Sequence, residues 1–157
     1  AYISKAGARV MGLGNPTSKM SKSDPNGCVF LMEKPEDIAR KFKRAITDSD
    51  TENCVRFDPE NKPGVSNLMN IYSAVTGKSF DEIEREFEGQ GYGVFKPAVG
   101  DAVIETLRPI REEATRLLND KAYLCSVYTE GAQKASVIAR KTLRKVYKKV
   151  GLVEKPF

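Results

Sequence analysis

The chain has 157 residues, a length that suits one domain, or a small domain with a remnant of another, with room for a core. Its composition, 40% hydrophobic and 30% charged, is typical of a soluble globular protein. It has no apolar run long enough to span a bilayer and no signal-type N-terminus, and because it lacks an initiator Met we expect it to be a piece of a longer chain. The absence of histidine removes the usual base of serine and cysteine nucleophiles, and we interpret Cys28, Cys54 and Cys125 as reduced cytosolic thiols rather than zinc ligands.

The first predicted elements are a short strand and a loop. Residues 9–13 form an apolar run that stops at a Gly-Asn-Pro turn, as a brief buried strand does. The following loop, SKMSKSDPNG at residues 18–27, ends in Asp-Pro-Asn-Gly, which favours a turn.

The loop carries two cations and two hydroxyl groups, on Lys19, Lys22, Ser21 and Ser23. Mobile ammonium groups can reach phosphate without a preformed cavity, and the hydroxyl and backbone N–H groups add further donors. The loop also directly follows a strand end, where open α/β sheets bind nucleotides. On spacing alone, a solvated linker or a kinase target site remains the alternative.

Helical patterns occupy the rest of the chain. Apolar periodicity and cap signals predict five helices: Pro35–Ile46, Ser66–Gly77, Ser79–Phe87, one that begins at Pro97, and one over Thr129–Gly151. A capping box joins Ser79 to Glu82, and Pro109 predicts a kink near Thr106. Residues 48–64 lack periodicity and are interpreted as a loop, and the glycine-rich stretch at 89–93 as a turn between helices. Five helices and almost no strand indicate a mainly α fold.

The predicted C-terminal helix is strongly basic. We expect Ala135, Ala139, Leu143, Val146 and Val150 on its inner side. From residue 134 to residue 155 the chain has a single acid, Glu154, and the basic residues are Lys134, Arg140, Lys141, Arg144, Lys145, Lys148, Lys149 and Lys155. Such an excess of one sign favours a polyanionic partner, although a solubilising surface is the plain alternative.

One loop motif resembles a known family. KMSKS at residues 19–23 matches, letter for letter, the second signature of class I aminoacyl-tRNA synthetases. Further strings from Gly7 to Gly151 resemble the bacterial tryptophanyl-tRNA synthetase family, in the right order: GARVMGL, ITDSD, KPGVSNLMNIYS, FEGQGYGVFK and ETLRPIREE. The helical strings point to the tryptophan enzymes rather than to the related tyrosine enzymes.

The resemblance implies an ATP-dependent ligase that activates tryptophan as its adenylate and transfers it to tRNA. It implies that Lys19 and Lys22 stabilise charge on the phosphates, that Ser21 and Ser23 assist by hydrogen bonding, and that Val10 and Met20 line the adenine pocket. Plain strand and loop packing is the alternative for Val10 and Met20. ATP with Mg²⁺, L-tryptophan and tRNA(Trp) would be bound by the full-length homodimer, with no metal bound by this piece and no membrane partner.

The same resemblance implies a division of the chain. Residues 1–27 would be the last strand and KMSKS loop of a Rossmann-type catalytic domain, and residues 28–157 a helical anticodon-binding domain. We therefore expect this piece alone to be inactive. Arg140, Arg144 and Lys148 recur every four residues, and we hypothesise that they contact the tRNA backbone. A free-standing helical module that binds RNA or protein, and a tyrosyl-tRNA synthetase, remain the alternatives.

Overall fold

A computed structural model describes residues 8–51 and 54–153. The first seven residues of the predicted segment 1–27, together with Glu154 and Lys155, lie outside that range. Within it the chain is mainly helical, as predicted. The helices are α1 (Pro35–Arg44), α2 (Pro63–Thr76), α3 (Phe80–Glu86), α4 (Tyr92–Asn119) and α5 (Lys121–Val150). No helix in this described part combines the length and the apolar character needed to cross a membrane.

Three helices begin earlier than predicted. Helix α2 begins at Pro63 rather than Ser66, because a first-turn proline needs no N–H partner, and Ser66 instead accepts from the Asp58 N–H at 2.9 Å. Helix α4 begins at Tyr92 rather than Pro97, and this added turn contains Phe95, which is fully buried.

Helix α5 begins at Lys121 rather than Thr129. Its first turn is capped by Asp120, whose side chain accepts from the Tyr123 N–H at 2.9 Å. The predicted capping box of Ser79 and Glu82 is confirmed at the start of α3.

The chain divides into two compact units, residues 1–112 and 113–157. The first unit holds the hydrophobic core. In it, Tyr72, Phe87 and Phe95 pack edge to face with ring centroids 5.0–6.4 Å apart. The helices predicted over residues 35–46, 66–77 and 79–87 supply most of this core, although Ile46 is exposed. The other core residues are Leu13, Ile38, Phe42, Ala45, Cys54, Val55, Val65, Leu68, Met69, Ile71, Ile83, Val99 and Val103.

The second unit contains the end of α4 and all of α5. Contrary to the predicted inner face of α5, this helix has no buried residue. Leu143, Val146 and Val150 are all exposed. One long helix and the end of another cannot enclose a core of their own. The regularly spaced apolar residues of α5 are therefore not buried.

Residues 9–13, predicted as a strand, form one isolated antiparallel bridge, between Met11 and Lys19. A strand needs a ladder of partners, and the described residues contain no strand. The segment is nevertheless anchored, since Leu13 is buried and its carbonyl accepts from the Ile46 N–H at 2.9 Å.

Candidate functional site

The lysine loop, residues 14–27, is closed at its base by backbone hydrogen bonds. The Gly12 N–H donates to the Ser18 carbonyl at 2.9 Å, and the Met20 N–H donates to the Val10 carbonyl at 3.0 Å. The Leu13 N–H donates to the Gly27 carbonyl at 2.9 Å. These bonds hold both ends of the loop against residues 10–13, so the loop has a fixed base and is not an extended linker.

The C-terminal end of the loop is a tight turn. The carboxylate of Asp24 accepts from the N–H groups of Asn26 at 3.2 Å and of Gly27 at 3.1 Å. A Cβ added at Gly27 would lie 2.1 Å from an oxygen of that carboxylate. The predicted Asp-Pro-Asn-Gly turn is therefore present, and a side chain at its last position would displace the Asp24 carboxylate.

The four predicted catalytic residues are all exposed on this loop. Lys19 and Lys22 make no ion pair with any residue in the described ranges. Ser21 has a local role, because its hydroxyl accepts from the Ser23 N–H at 3.3 Å. The arrangement presents two unpaired cations and several donors to solvent, as contact with a phosphate chain requires.

Val10 and Met20, predicted to line an adenine pocket, are half-buried and pack against the core. Their backbones are joined by the Met20 N–H to Val10 carbonyl bond. The structure thus brings Val10, Lys19 and Met20 together at the base of the loop.

A buried amide holds this base, and the sequence reasoning missed it. Asn67 on α2 is 4% exposed. Its side chain accepts from the Met11 N–H at 2.9 Å and donates to the Met11 carbonyl at 3.0 Å. The sequence does contain a sign of this role, because Asn67 is a polar residue on the apolar face of its helix, four positions before Ile71.

A second support lies beside the loop. Lys41 on α1 donates to the Cys28 carbonyl at 2.7 Å and pairs with Glu33 at 2.5 Å. Its ammonium group also lies 5.4 Å from the centre of the Phe30 ring. Between the loop and α1 is a cleft of about 300 Å³, lined in part by Asp24, Arg40 and Arg44.

A buried lysine organises the segment between α1 and α2. The Lys62 ammonium pairs with Asp50 at 2.6 Å and Asp48 at 3.1 Å, and it donates to the Tyr92 hydroxyl at 3.1 Å. That hydroxyl donates to Asp48 at 2.6 Å. The Lys62 side chain is only 2% exposed, so its charge is compensated inside the protein.

The pKa values of this cluster follow from its geometry. Burial acts to lower the pKa of Lys62, but hydrogen bonds from its charged form to Asp50, Tyr92 and Asp48 outweigh burial and raise it. Burial and the bond to Asp48 raise the pKa of Tyr92. Burial acts to raise the pKa of Asp48, but its bonds with Tyr92, the Asp50 N–H and Lys62 lower it. The cluster is therefore ionised as Lys62 and Asp48 near neutral pH.

The predicted RNA-contacting residues Arg140, Arg144 and Lys148 are exposed on α5. In this unit Lys134 pairs with Glu130 at 2.5 Å. Between residues 135 and 150, α5 contains no acidic residue.

Comparison with known proteins gives concordant results. The family model described as tRNA synthetases class I (W and Y) matches residues 4–108. A tryptophan–tRNA ligase of Wolinella succinogenes is 50% identical over 153 residues, and one of Clostridium tetani is 49% identical over 154 residues. The matches cover 96% and 97% of this chain.

The matched relatives are longer than this chain, which spans 46% and 45% of their lengths. A solved structure of tryptophanyl-tRNA synthetase from Campylobacter jejuni, complexed with ADP and tryptophan, matches with a TM-score of 0.76 and 27% identity. That match covers 96% of this chain and 46% of the other.

Proposed function

The chain belongs to the class I tRNA synthetases of the W and Y family, and we propose that the protein containing it is a tryptophan–tRNA ligase. The observation that carries the proposal is the 50% identity to a tryptophan–tRNA ligase across nearly all of this chain. An intact KMSKS run on an exposed, hydrogen-bonded loop supports it. In this proposal the enzyme works in the cytoplasm as a homodimer.

The proposed reaction has two steps. The tryptophan carboxylate attacks the α-phosphorus of ATP, which forms tryptophanyl-adenylate and releases pyrophosphate. A terminal ribose hydroxyl of tRNA(Trp) then attacks the activated carbonyl, which gives tryptophanyl-tRNA and AMP. In both steps the bond that forms and the bond that breaks share one centre, so the enzyme acts by positioning and by charge stabilisation.

The lysine loop supplies the charge stabilisation. As the carboxylate attacks, negative charge shifts toward the departing pyrophosphate. We assign Lys19 and Lys22 to that charge, and Ser21 and Ser23 to shaping the loop and donating hydrogen bonds. Val10 and Met20 would contact the adenine ring from the base of the loop. Lys19 and Lys22 have no ion-pair partner among the described residues, so within that part of the chain no salt bridge must break before they bind phosphate.

Mg²⁺ that accompanies ATP remains a prediction. In the part of the chain that is described, no group of three or more Cys, Asp or Glu residues is placed to hold a metal ion. The ion would neutralise phosphate charge when bound. The residues of this chain would contribute cations and donors to the same phosphates.

The division of labour along the chain follows the proposed reaction. Residues 1–27 would belong to the catalytic domain and 28–157 to a helical domain that recognises the anticodon. Arg140, Arg144 and Lys148 on α5 would contact the tRNA backbone, supported by the excess of basic residues there. Since this chain spans under half of its relatives' lengths, these residues alone would be inactive.

The test is amino-acid-dependent exchange of pyrophosphate into ATP by the full-length protein. We expect exchange with tryptophan and at least about a hundredfold less with tyrosine, since a pocket that fits one side chain leaves unpaired groups with the other. Exchange that prefers tyrosine would identify a tyrosine enzyme. No exchange with either amino acid, together with tRNA binding, would support the helical RNA-binding module instead.

A further inference from the structure

The side chain of Asn67 binds both backbone polar groups of one residue, Met11. Its oxygen accepts from the Met11 N–H at 2.9 Å, and its nitrogen donates to the Met11 carbonyl at 3.0 Å. A neighbouring strand would offer the same donor and acceptor pair. The amide thus takes the place of a strand partner in a segment for which the described residues provide one isolated bridge.

The anchoring end of this contact is rigid. Around Asn67, the α2 residues Val65, Leu68 and Met69 are each at most 1% exposed. Asn67 itself is 4% exposed, so its rotamer is fixed by the packing around it. The Asn67 amide therefore fixes the position of the Met11 backbone relative to the core.

The other end of the contact leads directly to the loop. Met11 lies opposite Lys19 in an antiparallel bridge. The Gly12 N–H to Ser18 and Met20 N–H to Val10 bonds flank this bridge at 2.9 and 3.0 Å. These two bonds join the residues on either side of Met11 to those on either side of Lys19, so the backbone of Lys19 is held opposite Met11, the residue that Asn67 binds.

We propose that Asn67 is a positioning residue for the activation step, which it serves by fixing the backbone of Lys19 through Met11. This inference rests on the proposed function, because it assigns Lys19 to the phosphates of ATP. Without the amide, Met11 loses a donor and an acceptor, and the loop base can shift. A displacement of about 1 Å is enough to cost roughly a hundredfold in rate.

The experiment is a double-mutant cycle in the full-length protein, with Asn67→Ala, Lys19→Ala and the double variant. We expect Asn67→Ala to lower kcat for tryptophan-dependent pyrophosphate exchange by roughly tenfold to a hundredfold and to leave the tryptophan KM within about twofold. In the Lys19→Ala background its further effect on kcat should be at least about threefold smaller, because the two residues act as one unit.

Ser66→Ala is the matched control. Ser66 precedes Asn67 on α2, is 3% exposed, and accepts from a loop N–H, that of Asp58, at 2.9 Å. Its removal should lower the thermal midpoint about as much as Asn67→Ala does and leave kcat within about twofold. If Asn67→Ala does not fold, Asn67→Asp replaces it. The aspartate has the same shape and keeps the acceptor, but it faces the Met11 carbonyl with a second oxygen, so kcat should still fall about tenfold or more.

Three results would overturn the inference. They are kcat losses that simply multiply in the double variant, an equal kcat loss in Ser66→Ala, and wild-type kcat in either Asn67 variant. The failure of the proposed function is separate, because wild-type protein would then show no tryptophan-dependent exchange at all.

Discussion

Residues 8–112 and residues 113–153 use different means to define their structure. In the first region buried polar side chains, Lys62, Ser66 and Asn67, hold loop backbone or loop carboxylates against the core. In the second region α5 has no buried residue, and its ends are set by Asp120 and by Gly151, which has a φ of 73°. Substitutions of buried residues should therefore reduce the stability of the first region. Substitutions on α5 should instead change binding through its exposed charges.

The largest expected effect on stability is in the core. Phe42 is 1% exposed, and a Cβ added at Gly100 would lie 3.1 Å from the Phe42 Cβ. Phe42→Ala should lower the free energy of unfolding by about 3–5 kcal/mol, through lost burial and a cavity. Val146→Ala on α5, where the valine is 47% exposed, should change it by less than about 0.5 kcal/mol. Urea denaturation measures both, and equal losses would contradict the contrast between the regions.

A smaller effect is expected at the buried lysine. Lys62→Met leaves Asp48 and Asp50 without their cation and should cost about 3 kcal/mol, the lower end of the range for a buried pair, because Asp50 is half exposed. A matched surface change is Lys78→Met, whose pair with Glu86 is exposed and should therefore contribute far less to the free energy of unfolding than the Lys62 cluster does.

The same cluster predicts a pH dependence. The folded-state pKa of Asp48 is lowered below 3.8, so its contribution to stability is complete above that value and is lost as the pH falls through the folded pKa. The raised pKa of Lys62 gives a contribution that is complete below 10.5 and is lost as the pH rises beyond the folded pKa. Lys62→Met should flatten both limbs of a stability profile measured by urea denaturation. A profile parallel to that of the wild type would contradict this account.

The exposed charges of α5 should affect RNA binding instead of stability. Changing Arg140, Arg144 and Lys148 to Ala should weaken tRNA(Trp) binding by the full-length protein. It should also flatten the log–log salt dependence by about 0.7–0.9 per lost contact. Tryptophanyl-adenylate formation, which needs no tRNA, should be unchanged.

A matched triple variant removes three cations that lie outside the predicted RNA-contacting residues and outside the basic run of residues 134–155, namely Lys78, Arg108 and Arg116. It changes the net charge equally, and it should keep a salt slope close to that of the wild type. If the salt dependence of tRNA binding has the same slope in both triple variants, the α5 cations are a solubilising surface and do not contact tRNA.

The smallest effect is at the start of α5. Asp120→Ala removes the acceptor of the Tyr123 N–H and should destabilise the first turn by about 1 kcal/mol. Hydrogen exchange at the Tyr123 amide should become about fivefold faster, as that free energy implies, while the Glu82 amide at the α3 cap serves as the unchanged reference. An unchanged rate at Tyr123 would show that the cap does not hold this turn.

Periodicity and cap chemistry were sufficient to predict the parts that depend on local sequence. The apolar faces of α1 to α3 and the Ser79 capping box are of this kind. Periodicity failed at α5, because apolar spacing indicates a face but does not show that anything covers it. It also failed at Lys62 and Asn67, whose partners are 8 to 56 residues away along the chain and can be found only from the fold.

Lys22→Ala in the full-length protein tests most directly whether the lysine loop acts on charge in the activation step. Lys43→Ala, an exposed lysine on α1, is the control of equal charge. Single-turnover formation of tryptophanyl-adenylate should slow about a hundredfold in Lys22→Ala, since a lost transition-state donor costs about 3 kcal/mol, with tryptophan affinity unchanged. Lys43→Ala should match the wild type in both measurements. An adenylation rate in Lys22→Ala equal to that of Lys43→Ala would contradict the assignment of this loop.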